Sequence, residues 1–297
     1  MYNMFTYKEE EMDNKPKAII LMLISALSFS FMSAMVKLAG DIPTFEKVFF
    51  RNLISLFLAI YMIKKSNVSI FGKWQNQGAL LSRSLFGLAG VVLNFYAINN
   101  LLLADSTMLN KISPFFVAIF AWWFLKERIT ALNIVALGVI CVGAGLIIKP
   151  QFSLEIIPGL AGVLSALAAG AAYTIIRYLK DKEHPSTIVF YFSLVSVIGM
   201  IPLTAMNFVM PTGIQFVYLV GTGIFAALGQ FTLTYAYKYA PASEVSIFNY
   251  VGVVFSAVIG YFMFGEVMDF YSVIGTILII GMAVTLFFNG KSKIKSL

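Results

Sequence analysis

Long apolar tracts, broken by short clusters of charge, glycine and proline, recur along the whole chain. A helix needs roughly 20 apolar residues to cross the hydrocarbon core of a membrane. Runs of that kind fall at about 17–39, 44–63, 79–101, 104–125, 129–148, 157–179, 185–206, 213–237, 241–263 and 268–288. The pattern predicts an all-α integral membrane protein with ten transmembrane helices. The connections are too short to hold a soluble domain. Residues 1–16 are expected as a cytoplasmic tail and 289–297 as a basic one. The first apolar run lacks a clear cleavage site, and it is expected to be a retained helix rather than a signal peptide.

Composition supports that class. The 297 residues are 60% hydrophobic and 12% charged, with a mean hydropathy of +0.87. Average soluble proteins are about 45–50% apolar and about 25% charged. The net charge of +7 does not point to nucleic acid, because the basic residues are spread through short loops. Their distribution gives an orientation instead. With the N-terminus inside, Lys8, Lys15, Lys17, Lys64, Lys65, Lys73, Arg83, Lys126, Arg128, Arg177, Lys180, Lys182, Lys238, Lys291, Lys293 and Lys295 all fall to the inner side, 16 of 21. The positive-inside rule then puts both termini in the cytoplasm, with the chain in the cytoplasmic membrane. Trp122 and Trp123 suit an interfacial aromatic belt.

The chain also repeats itself. Ser-Ala-Leu at 25–27 recurs at 165–167, and the same shift lays Lys37 on Arg177 and Asp41 on Asp181. A shift smaller by one lays Gly90 on Gly229, Tyr96 on Tyr235, Asn110 on Asn249 and Glu127 on Glu266, with Asp105 on Glu244. The repeats are 17–148 and 157–288, five helices each. An odd number sends the second copy into the membrane from the opposite side, so the halves are expected to be inverted repeats. Inverted repeats are typical of secondary transporters that work by alternating access. Ala26, Ser30 and Ala34, and in the second repeat Ala161, Ser165 and Ala169, form small-residue stripes suited to close helix packing.

Three stretches carry a family resemblance: TFEKVFFRN at 44–52, FFVAIFAWWFLKERITALNIVALGVICVGAGLII at 115–148, and APASEVSIFNYVGVVFSAVIGYFMFGEVMDFYSVIGTILIIGMAV at 240–284. In both halves an acidic residue, Glu127 or Glu266, closes a helix ahead of a glycine-punctuated final helix. This resembles the EamA-type branch of the drug/metabolite transporter superfamily over nearly the whole chain. The resemblance implies a secondary active transporter of a small organic metabolite. Members move amino acids, nucleosides, cofactors, quaternary amines and drugs. The 44–52 stretch is similar to bacterial members that include S-adenosylmethionine carriers.

Other chemistries find little support. NGKS at 289–292 lacks the first glycine of a Walker A loop, where Thr285 stands, and no strand precedes it. One histidine, His184, expected as a solvated loop residue, and one cysteine, Cys141, are too few for a transition-metal site. A lone cysteine also rules out an internal disulfide. No cofactor is expected. The membrane-embedded enzyme is the competing class, and no acidic or histidine motif marks a reacting centre.

Polar residues inside the spans are the candidate site, because an ionisable group there costs about 2.5–3.5 kcal/mol on insertion scales. Lys111 and Arg51 would repel unless an anion or Glu46 lies between them, so they are expected to face a central cavity and attract a carboxylate or phosphate-like group; snorkelling of Lys111 to the surface is the alternative. Asn110, Asn249, Tyr250, Tyr96, Tyr235, Asn94 and Gln230 complete the expected substrate-binding set. Pro114 either kinks its helix to expose the Asn110 carbonyl or serves shape alone. Lys37 with Asp105, and Arg177 with Glu244, are expected as alternating closure pairs or as simple interfacial anchors. Glu46, Asp105 and Glu244 are the candidates for a coupling proton, with a counter-substrate as another route. The leading cargo is an amino acid or related carboxylate; an S-adenosylmethionine-like nucleoside metabolite is second. Beyond that cargo, the expected partner is membrane lipid, and no nucleic acid.

Overall fold

The computed structural model describes residues 2–125, 131–148, 156–179, 182–239 and 246–295. All regular elements among them are helical. They are α1 (Tyr2–Leu38), α2 (Thr44–Ser66), a 3-10 turn at Trp74–Asn76, α3 (Gln77–Asn100), α4 (Leu103–Asn110), α5 (Ser113–Leu125) and α6 (Ala131–Ile148), followed by α7 (Ile156–Leu179), α8 (Pro185–Met206), α9 (Gly213–Tyr239), a 3-10 turn at Ser246–Tyr250, α10 (Val251–Phe264) and α11 (Phe270–Lys295). Helical structure begins at Tyr2 and runs through Pro16, upstream of the expected start at 17.

Six segments among the described residues are long and apolar enough to cross a membrane: Pro16–Leu38, Trp74–Asn100, Ile156–Ile176, Pro185–Met206, Gly213–Leu233 and Phe270–Phe288. Helix α2 has the length, but Glu46, Lys47, Arg51, Lys64 and Lys65 dilute its apolar character. The expected fourth and ninth helices are both interrupted. The fourth splits into α4 and α5 around Lys111–Ile112, and the ninth opens as the 3-10 turn before α10.

Local chemistry sets several boundaries. His184 is not simply solvated: its Nδ1 accepts from the Ser186 amide at 3.2 Å, capping α8, and Pro185 occupies the first helical position. Gly265, at φ +66°, ends α10 in the left-handed region that glycine tolerates. The Gly265 amide then donates to the Tyr261 carbonyl at 3.0 Å, the 5→1 closure of an αL cap, and the Glu266 amide donates to the Gly260 carbonyl at 3.1 Å.

Packing runs between the two halves of the chain. Helix α1 lies on α9 and α10, and α7 lies on α3 and α5; α2 packs on α8 and α6 on α11. Exchanging equivalent helices of the two repeats leaves this set unchanged. The match extends to atoms. Ser25 donates to the Gly229 carbonyl at 2.8 Å, while a Cβ on Gly90 would meet the Ser165 carbonyl at 3.4 Å. Ser25 and Ser165 are repeat equivalents, as are Gly229 and Gly90. The small-residue stripes therefore lie in the closest helix contacts.

Large apolar side chains cover the outside: Phe57 and Trp123 are each 66% exposed and Phe262 80%. Trp122 and Cys141 also face outward. Polar and charged groups are turned inward, Lys47, Glu46 and Asn52 to full burial. This is the reverse of a water-soluble surface and matches a hydrocarbon solvent.

Candidate functional site

The break between α4 and α5 places polar groups at the centre of the repeat contact. Pro114 has no amide to continue α4, and it occupies the first turn of α5, where none is needed. The expected kinked helix is thus two helices. The Lys111 carbonyl, left out of the helical ladder, accepts from the Tyr250 hydroxyl at 3.1 Å. The Lys111 Nζ donates to Asn249 Oδ1 at 2.8 Å. Asn110 reaches the other way, its amide donating to Ser165 Oγ of α7 at 3.2 Å. A hydroxyl chain continues alongside: Thr107 donates to Ser256 at 2.9 Å, Ser256 to Ser30 at 3.1 Å, and Ser30 to the Gly252 carbonyl at 3.0 Å. These bonds satisfy irregular backbone that lipid could not.

A second cluster joins α2, α3 and α8. The Arg51 guanidinium lies 5.3 Å from the centroid of Phe192, and that of Arg83 lies 4.2 Å from the same centroid. Arg51 is 8% exposed and Arg83 6%. Arg51 makes one hydrogen bond, to its neighbour Asn52 at 2.7 Å. Among the described residues Arg83 makes none, and its Nε and Nη1, with Nε of Arg51, have no acceptor. The two cations are close enough to repel each other, and Tyr173 of α7 lies within electrostatic range of both. Gly87, one turn after Arg83, makes room: a Cβ there would sit 2.9 Å from the Phe192 ring and 3.2 Å from Arg83 Nη1. A ring face attracts a cation but does not neutralise it, and among the described residues no carboxylate pairs with either guanidinium.

The sequence expectations are met unevenly. Arg83, rather than Lys111, accompanies Arg51. Arg83, counted above only among the basic residues of the inner side, is buried between helices. Glu46 does not stand between cations; it is fully buried, and its Oε2 accepts from the Val209 amide at 3.2 Å. Lys37 pairs with Glu266, not Asp105, and also donates to the Leu101 carbonyl at 2.7 Å. Glu266 in turn accepts from the Leu103 amide at 2.6 Å, at the start of α4. Asp105 is buried and accepts from Ser272 at 3.0 Å. The physical reason is helix geometry: α10 turns back at Gly265 and delivers Glu266 to the α3–α4 junction ahead of Asp105. Glu244 and the Arg177 side chain lie outside the described residues, so that pair is not seen.

Tyr96 lines an open groove of about 500 Å³ with Thr44, Phe45, Val92 and Asn207. Tyr235, its repeat equivalent, is 39% exposed. Asn94 and Gln230 are half-buried on α3 and α9. Among the described residues no group of three or more His, Cys, Asp or Glu could hold a metal ion.

A polar break facing the other repeat, and two buried arginines without a carboxylate partner among the described residues, suit passage of a polar solute. Comparison with known sequences agrees. The pattern of the EamA-like transporter family matches residues 16–149 and again 157–288. The chain belongs to the EamA-like transporter family. This EamA-like chain is 34% identical over 278 residues to the pseudopaline exporter CntI of Pseudomonas aeruginosa (strain UCBPP-PA14), covering 93% of this chain and 97% of that one. It is 26% identical to human solute carrier family 35 member G1, covering 88% and 76% of the two chains. It is 25% identical to the S-adenosylmethionine uptake transporter of Rickettsia felis, covering 91% and 92%. A crystal structure of a protein 18% identical in sequence matches with a TM-score of 0.67, covering 94% of this chain and 99% of that one, and so shares the fold. The EamA-like chain is a multi-pass membrane transporter of small metabolites and not an enzyme.

Proposed function

We propose that the chain is a secondary active transporter that moves an amino acid or related carboxylate-bearing metabolite across the cytoplasmic membrane. The observation that carries this reading is Arg51, buried between helices with one hydrogen bond to its own neighbour and no carboxylate within 4 Å among the described residues. A buried cation without a counter-ion is costly, and a substrate carboxylate supplies one. Ten spans in two inverted halves, both termini inside, fit the exchange symmetry of the helix contacts. The exporter among its relatives favours outward movement.

Alternating access would then work through the clasp of Lys37 and Glu266. In the repeat register Lys37 corresponds to Arg177 and Glu266 to Glu127. An Arg177–Glu127 clasp at the opposite end would form as the Lys37–Glu266 clasp opens. Glu127 lies outside the described residues, so this counterpart rests on the repeat alone.

The test is transport by purified protein in liposomes loaded with labelled glutamate. Efflux that leaves the compound chemically unchanged, and that falls at least tenfold in Arg51→Gln, is expected. Equal efflux by Arg51→Gln would refute the assignment. S-adenosylmethionine, run in parallel, tests the nucleoside-type reading that the Rickettsia relative raises. Its sulfonium charge is disfavoured beside two arginines.

A further inference from the structure

Among the described residues Arg83 is the buried guanidinium for which the carboxylate reading has no use. A single carboxylate matched to Arg51 leaves it uncompensated. Its Nε and Nη1 lack acceptors, as does Nε of Arg51. The two heads lie against one ring, 5.3 and 4.2 Å from its centroid. They come from different helices, α2 and α3, and meet the ring of a third, α8. Arginine presents its donors as a planar fork that suits a carboxylate, and its charge cannot be shed as a lysine's can. Two such forks at one ring, with no carboxylate paired to either among the described residues, form a receptor for two negative groups.

We propose that Arg51, Phe192 and Arg83 form a two-point anion site, and that the transported metabolite carries two carboxylates, one for each guanidinium. The proposal rests on the carboxylate reading above and narrows it. Phe192 offers its ring to both guanidiniums. Gly87 is a positioning residue, because any side chain there would displace the ring or Arg83.

The experiment uses the full chain in detergent micelles. Binding of a matched series is measured by the concentration dependence of thermal stabilisation. The series is glutamate against glutamine, and succinate against its monoamide, succinamate. The dicarboxylates are expected to bind at least about tenfold more tightly than their monoamides, as one charge-assisted hydrogen bond predicts. Arg83→Gln should bring glutamate down to the level of glutamine while leaving glutamine unchanged. Arg83→Lys, which keeps the charge and guards against a folding defect, should retain part of the preference. Monoamides that bind as well as the dicarboxylates, or a preference that survives Arg83→Gln, would overturn the two-point site and leave carboxylate transport standing. If no member of the series binds, the carboxylate reading itself falls.

Discussion

Lys111 and Tyr250, equivalent positions in the two repeats, are bonded to each other: the Tyr250 hydroxyl donates to the Lys111 carbonyl at 3.1 Å. The interrupted helices of the two repeats therefore touch each other here. Discontinuous helices are a recurring feature of the binding sites of secondary transporters. The lysine side chain reaches past the contact to Asn249 at 2.8 Å, so it bridges both halves.

Lys111→Met removes that bridge and leaves the Asn249 oxygen without its donor. A hydrogen bond to a charged group contributes about 1.5–3 kcal/mol, enough to lower transport by tenfold or more. Membrane insertion should be intact, since methionine is more apolar. Flux into liposomes and detergent extraction of the folded protein measure the two separately. Unchanged flux would return Lys111 to the role of a surface anchor.

Tyr250→Phe keeps the ring and deletes the hydroxyl. The Lys111 carbonyl, already outside the helical ladder, then loses its acceptor role. An unsatisfied buried group costs about 1–3 kcal/mol, so the melting temperature should fall by several degrees. Thermal unfolding in detergent reads this directly, and a shift within error would show that water or lipid headgroups replace the hydroxyl.

Much of this arrangement was legible in the sequence. Apolar runs match the six long apolar helices of the described residues, and the repeat register pairs Ser25 with Ser165 and Gly90 with Gly229. Pro114 signalled trouble in the fourth helix, although a break and not a kink resulted. Arg83 was missed as a site residue because a charge near the inner end of an apolar run counts toward orientation; Gly87 one turn later was the available hint that a bulky neighbour packs there. The pairing of Lys37 with Glu266 was hidden for another reason. It depends on the backbone reversal at Gly265, which brings together residues 229 positions apart.

Gly87→Val tests how closely the arginine cluster is fitted. A Cβ would already approach Phe192 to 2.9 Å, and branched carbons would force the ring aside. Overpacking of this kind costs typically about 1–3 kcal/mol. Dicarboxylate affinity should drop several-fold more than monoamide affinity, because Arg83 moves with the ring. A uniform loss across both classes would indicate general unfolding, which the melting temperature would reveal.

A clasp of side chains sits at the α3–α4 junction. Lys37 holds Glu266 and the Leu101 carbonyl, while Glu266 holds the Leu103 amide. Together they close one end of the bundle over α4, where Ser106 is fully buried. If this end opens during transport, breaking the ion pair should favour the open state. Ser106→Cys in a Cys141→Ala background provides a small, nearly isosteric probe. Its labelling by a membrane-impermeant thiol reagent should be slow, and several-fold faster when Lys37→Met is added. The exchange Lys37→Glu with Glu266→Lys should recover only part of the protection, since the backbone bonds to Leu101 and Leu103 need the original polarity. A double-mutant cycle with a coupling of about 0.5–3 kcal/mol is expected for groups in one network. Strictly additive effects, or labelling unaffected by Lys37→Met, would reduce the pair to an anchor at the membrane surface.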